Sequence, residues 1–145
     1  MDYHVYLRKG TLFVPTTGLV EKGLLRDVEP VSVFSVSNTE GVRQALHATI
    51  ARGNPPTPHY SRGSYPQPVV LKCAGVKTWS AFSREAKSWS IEEDNEIYRI
   101  VGYRKHSKGY WVEDPDQKIE FSPGSTVDDV IDRMITILQD AARST

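Results

Sequence analysis

Residues 96–141, EIYRIVGYRKHSKGYWVEDPDQKIEFSPGSTVDDVIDRMITILQDA, decide the class of fold. The first half mixes β-branched and aromatic residues with polar ones. This predicts strands over 96–105 and 109–113, joined by His106-Ser107-Lys108-Gly109, and a third strand over 118–122 after the Asp114-Pro115-Asp116-Gln117 turn. The second half has helical spacing: Val127, Val130, Ile131, Met134, Ile135, Ile137, Leu138 and Ala141 form one broad apolar surface. Asp128 and Asp129 suit the positive N-terminal end of that helix. An Asp129–Arg133 pair at i,i+4 contributes only about 0.2–0.5 kcal/mol, so burial of the apolar surface must hold the helix in place. A meander of strands followed by an amphipathic helix is an α+β pattern.

The same reading extends towards the N-terminus. Strands are expected over 3–8 and 11–15, with Lys9-Gly10 as the turn, and a third around Val31, Val33, Phe34 and Val36. Ser37-Asn38-Thr39-Glu40 matches a capping box. The helix after it turns Val42, Ala45, Leu46, Thr49 and Ile50 inward and Arg43, Gln44, His47 and Arg52 outward, and Gly53 ends it. Residues 54–68 carry five prolines, which remove the donors a helix or ladder needs, so a long irregular loop is expected. The apolar run Val69 to Val76 predicts a central strand covered on both faces. Trp79, Phe82, Ala86 and Trp89 share a stripe, which predicts a helix capped by Thr78, with Glu92-Glu93-Asp94 at its end or in a connector. The expectation is a single α+β domain over 1–145, with a mainly antiparallel or mixed sheet of about six to seven strands packed by three helices.

Composition narrows the classes of function. A chain of 145 residues buries roughly two thirds of its unfolded surface and needs no staple. One cysteine makes no internal disulfide and no common zinc framework. No apolar run reaches the ~18 residues of a membrane span and no secretory signal pattern opens the chain, so a cytoplasmic protein without membrane contact is expected. Lys+Arg and Asp+Glu number 18 each, which disfavours a general nucleic-acid binder. No cofactor is implied, because phosphate-cradling glycine motifs are absent.

The even total hides an asymmetry. Residues 1–90 hold 11 basic and 6 acidic side chains (11 − 6 = +5), and residues 91–145 hold 7 and 12 (7 − 12 = −5). The carboxylates gather in Glu92-Glu93-Asp94-Asn95-Glu96 and Glu113-Asp114-Pro115-Asp116. Folding could merge them into an acidic face for a basic partner, or leave them as solvated strand ends and turns. Catalytic alternatives rest on Cys73, the sole thiol, expected to be buried in its apolar strand, and on His59 in the proline loop. His4, His47 and His106 are scattered singly. Arg104-Lys105-His106-Ser107-Lys108 lies between Tyr103 and Tyr110-Trp111, a pattern that could clamp phosphates and stack bases. Tyr60, Arg62 and Tyr65 are residue types enriched at protein interfaces. A structural subunit of a larger assembly is a further class.

A small α+β domain with no catalytic constellation, an acidic half and an irregular loop resembles the immunity proteins of bacterial contact-dependent inhibition and related polymorphic toxin systems. The likeness is strongest from Tyr110-Trp111-Val112-Glu113-Asp114-Pro115 through Ser125-Thr126-Val127-Asp128-Asp129-Val130-Ile131. The resemblance implies a non-enzymatic protein that binds one cognate toxin domain and blocks its active site or an exosite, many such toxins being nucleases with basic clefts. No binding residue transfers from it. The charge pattern itself nominates Glu92, Glu93, Asp94, Glu96, Glu113, Asp114 and Asp116 as the docking carboxylates, with Tyr110 or Trp111 as the apolar anchor.

Overall fold

The computed structural model describes residues 1–60 and 66–144, the Lys22 side chain excepted; Arg62 and Tyr65 lie outside the described residues. The chain runs β1 (Asp2–Arg8), β2 (Thr11–Leu19), a short 3-10 turn (Glu21–Gly23), β3 (Leu25–Ser35), α1 (Thr39–Arg52), α2 (Val69–Ala74), α3 (Trp79–Arg84), β4 (Ala86–Asp94), β5 (Ile97–Lys105), β6 (Trp111–Glu120) and α4 (Val127–Arg143). The strands form one antiparallel sheet in the order β3-β2-β1-β4-β5-β6. Two chain-local meanders therefore meet at the β1–β4 seam, where Asp2 faces Glu92 and Arg8 faces Ala86. Among the described residues no helix is long and apolar enough to cross a membrane.

α1 and α4 cover one face of the sheet. Val5, Leu7, Leu12, Val14, Trp89, Ile91 and Ile100 from the strands meet Val42 and Leu46 of α1 and Val130, Ile131, Met134 and Leu138 of α4, all buried. Both long helices follow the periodicity of their sequences. α1 is capped by the Asn38 side chain, which accepts from the Gly41 N–H, one residue later than the Ser37 frame implies. α4 starts at Thr126 with a true capping box: Asp129 N–H donates to the Thr126 hydroxyl and the Asp129 carboxylate accepts from Thr126 N–H. The role of Asp129 is thus at the cap.

Among the described residues the opposite face is covered only in part, by α2 over β2 and β3 and by α3 against β4. This is where the expectation fails. Val69 to Val76 is not a strand: Pro68 precedes a six-residue helix, Gly75 in the left-handed region ends it, and only Val70 and Leu71 are buried. A short apolar run fits either element, and here it is one-sided. Cys73 consequently lies exposed on the outer side of α2. The stripe from Trp79 to Trp89 is not one helix either. α3 stops at Arg84, and the next residues alternate, with Trp89 and Ile91 reaching the α1–α4 core while Ser88 and Ser90 face the other way. Glu92-Glu93-Asp94 is therefore the end of a strand, and the α-helices among the described residues number four, not three.

The region 109–122 holds one strand, not two. Asp114 to Gln117 form a bulge in β6 between the Tyr103↔Glu113 and Val101↔Lys118 pairs. Gly102 permits it: a Cβ there would lie 2.6 Å from Gln117 Cβ. The proline segment is anchored at its start, where Leu19 N–H donates to Pro55 C=O and Thr57 N–H donates to Leu19 C=O, at 2.8 and 2.9 Å. Gly18 makes room for this approach, since any side chain would run into Thr57.

Candidate functional site

The part of the sheet left open by α2 and α3 is polar, and its composition follows from strand register. Asp2 and Glu92 are direct cross-strand partners, as are Glu92 and Arg99; Glu113 and Lys118 stand on the same face of β6. Glu92 is half-buried, and its carboxyl is held above the usual range, first by burial and then by Asp2 and Glu113, with Arg99 and Lys118 opposing. Three carboxylates thus sit in mutual repulsion on one surface. Asp2 is a member that the sequence did not nominate, because only the pairing of β1 with β4 brings it there.

Beside this trio, Asp27 of β3 reaches over to β1. Its carboxylate oxygens meet His4 Nδ1 at 2.6 Å and the Tyr6 hydroxyl at 2.5 Å. The cause lies in β2. Pro15 lacks an N–H, the β2–β3 register shifts after it, and the β1–β2 ladder holds only from Tyr6↔Phe13 to Arg8↔Thr11. Beyond that point His4 N–H is satisfied by the Thr17 hydroxyl at 3.2 Å, with Asp27 paired to Thr17. Burial pulls the His4 pKa down, but the hydrogen bond and charge of Asp27, with Asp2, more than offset it and the net shift is upward. Tyr6 is pushed well up by burial and then by Asp27. The group forms the floor of a cavity of about 680 Å³ walled by Tyr60, Trp79, Pro58 and Pro68. Neither Asp27 nor its role carries a sequence signal beyond Pro15.

The remaining nominated residues are dispersed. Glu93 turns towards Tyr98, whose phenol is pushed up to about 12 by burial and then by its hydrogen bond to Glu93. Asp94 and Glu120 both lie near Arg99, at 4.0 and 3.8 Å. Glu96 occupies the second position of the β4–β5 turn, where Asn95 and Glu96 have φ of 51° and 66°. Asp114 accepts from Gln117 Nε2 at 2.8 Å and from Asp116 N–H at 3.1 Å, which together lower its pKa. Asp116 stands at a cavity mouth below the bulge. Tyr110 is 54% exposed and stacks on His106. Trp111 instead packs into the second core, stacked on Tyr6 with Lys105 over its ring. Of the two aromatics, Tyr110 is the one presented outward.

The enzyme candidates do not converge on this face. Cys73 borders a shallow depression with Glu29, Pro30 and Val31, and His59 is exposed in the proline segment. His47 pairs with Asp128 at 2.8 Å across α1 and α4.

No protein-family model matches the chain, and no curated protein matches it. Among solved structures it is similar to a Neisseria meningitidis protein of unknown function, with 13% identity and a TM-score of 0.63 over 91% of this chain and 90% of the other. It is also similar to a chain of the CdiA-CT/CdiI toxin and immunity complex from Yersinia pseudotuberculosis, with 12% identity and a TM-score of 0.62 over 97% of this chain and 95% of that one. At such identities the likeness is one of fold.

Proposed function

We propose that this protein is an immunity protein: it binds a cognate toxin domain one to one in the cytoplasm and neutralises it without turnover. The observation that carries the reading is the likeness, over nearly the whole chain, to a chain of a toxin and immunity complex. The resemblance noted in the sequence supports the same reading.

The surface we assign to the toxin is the open sheet face around Asp2, Glu92 and Glu113, extended by Asp94, Glu96, Asp114 and Asp116 at its margins, with Tyr110 as the outward aromatic. Clustered like charges lower the stability of the free chain, and a basic partner relieves that repulsion. A nuclease-type toxin, which must hold a polyanion, has the basic cleft this face complements. Glu93, turned to Tyr98, contributes through the local field only.

The test is growth on co-expression with a candidate toxin domain, sought in the reading frame next to that of this chain. The wild type restores growth. Asp2→Lys/Glu92→Lys/Glu113→Lys loses protection while remaining folded by circular dichroism. If the wild-type chain neither protects nor co-purifies with that domain, the proposal fails. If it protects and the triple reversal protects equally, immunity stands and the assigned face is wrong.

A further inference from the structure

Where β4 and β5 part beyond the Trp89↔Gly102 pair, the C-terminal half of α4 and strands β4, β5 and β6 leave a cavity of about 770 Å³ that is lined from both faces of the sheet. Its floor is apolar, with Trp89, Ile119 and Ile137, and Arg84, Lys87, Arg104, Lys105 and Arg133 surround it. Two of these cations are already engaged: Lys87 donates to Ala141 C=O and Lys105 to Ser83 C=O. Arg84, Arg104 and Arg133 are exposed, and their side chains make no hydrogen bond or salt bridge among the described residues. Of the two rim carboxylates, Asp140 is paired with Arg143 and Asp116 faces the cations, while Arg84 also attracts Glu85 and Arg104 also attracts Asp114 nearby. The Lys105 ammonium is depressed, first by burial and then by the neighbouring Arg84.

We propose that this cavity receives an acidic segment of a protein partner, with carboxylates on Arg84, Arg104 and Arg133 and an apolar side chain on the Trp89–Ile119–Ile137 floor. The surface adjoins the carboxylate face at Asp116 but is centred on different residues, and the inference does not depend on the partner being a toxin. Charge complementarity selects an anionic occupant, and the apolar floor selects one with a greasy side chain. A polynucleotide fits poorly. Base stacking needs a free aromatic face and a continuous basic track, whereas Trp111 is stacked on Tyr6 beneath Lys105, Trp89 is 4% exposed, and Asp116 and Asp140 interrupt the rim. A lone inorganic anion leaves most of the volume empty.

The test pans a phage-displayed random peptide library on the full chain and measures the enriched peptides by fluorescence anisotropy. Acidic peptides carrying an aromatic or aliphatic residue are expected. Their affinity should fall at least tenfold in Arg104→Glu/Arg133→Glu and stay within twofold in Asp2→Lys/Glu92→Lys. Enrichment without acidic bias, or affinity indifferent to the arginine reversals, overturns the proposal. A short single-stranded RNA that binds more tightly than any peptide and depends on the same arginines also overturns it, in favour of nucleic acid. Sedimentation as a dimer that the same reversals dissociate overturns it in favour of a second copy of this chain. Both arginines are exposed, and a thermal melt matching the wild type establishes that the variant is folded.

Discussion

Replacing Glu92 with Gln should stabilise the free chain and weaken its complex. Glu92 faces Asp2 across one strand pair and Arg99 across the other, with Glu113 and Lys118 on the same surface. Directly opposed cross-strand pairs have Cβ atoms about 4.5–5.5 Å apart, and each such ionic contact at a half-exposed site is worth about 0.2–1 kcal/mol. Two attractions nearly cancel two repulsions, which leaves partial burial of the charge as the net cost. The gain on neutralisation is then about 0.5 kcal/mol, or roughly 1–2 °C in melting temperature for a chain of this size. Because the folded-state pKa of Glu92 is raised, its contribution is most favourable at low pH and declines as pH rises through the carboxylate range; Glu92→Gln removes that slope. In the complex the effect reverses, because a central charge paired with a basic partner costs about 2–5 kcal/mol to remove, some thirty- to several-thousand-fold in Kd. Thermal melts of the free chain and calorimetric titration of the toxin domain measure the two halves. A variant that is less stable than wild type, or whose Kd is unchanged, refutes the reasoning.

Three further outcomes follow from the geometry. His4, with its raised folded-state pKa, contributes stability that is full below its unfolded value of about 6.5 and is lost as pH rises through the folded value, so the urea midpoint should fall between mildly acidic and mildly alkaline pH, and less so in His4→Gln. Cys73 should react with one equivalent of Ellman's reagent in the native chain, and Cys73→Ser should shift stability by less than about 0.5 kcal/mol. Gly102→Ala should cost about 1–3 kcal/mol in chemical denaturation, because the new methyl meets Gln117 Cβ and must displace the β6 bulge.

Legibility in the sequence tracked the length of each pattern. α1 and α4 span 14 and 17 residues with caps at their starts, and their buried residues fall on the expected faces except Gly41, while Ile50, Val127, Ile137 and Ala141 are only half-buried at the margins. The Lys9-Gly10 turn was likewise legible, both residues having positive φ as a two-residue hairpin requires. Residues 69–94 misled for a definite reason. α2 and α3 have six residues each, too few for periodicity to separate helix from strand, and the chain changes period at Glu85 in the middle of an aromatic-rich run. The acidic pattern nominated Glu92 and Glu113 but could not place them together, nor add Asp2 and Asp27. Those depend on the β1–β4 seam, on the release of β2 from β1 beyond Phe13 and on the β2–β3 register shift after Pro15, all products of long-range pairing. Trp111, nominated as an anchor, was claimed by the second core once α3 packed against β4 and brought Trp79 and Phe82 around Tyr6.

The most direct measurement is the equilibrium dissociation constant, over a range of salt, for the chain and the toxin domain whose growth arrest it relieves, with wild type compared against Asp2→Lys/Glu92→Lys/Glu113→Lys. The account predicts a tight wild-type complex weakened by added salt, and at least a hundredfold loss with a flatter salt dependence in the triple variant. Equal affinity and equal salt dependence for the two proteins would contradict it.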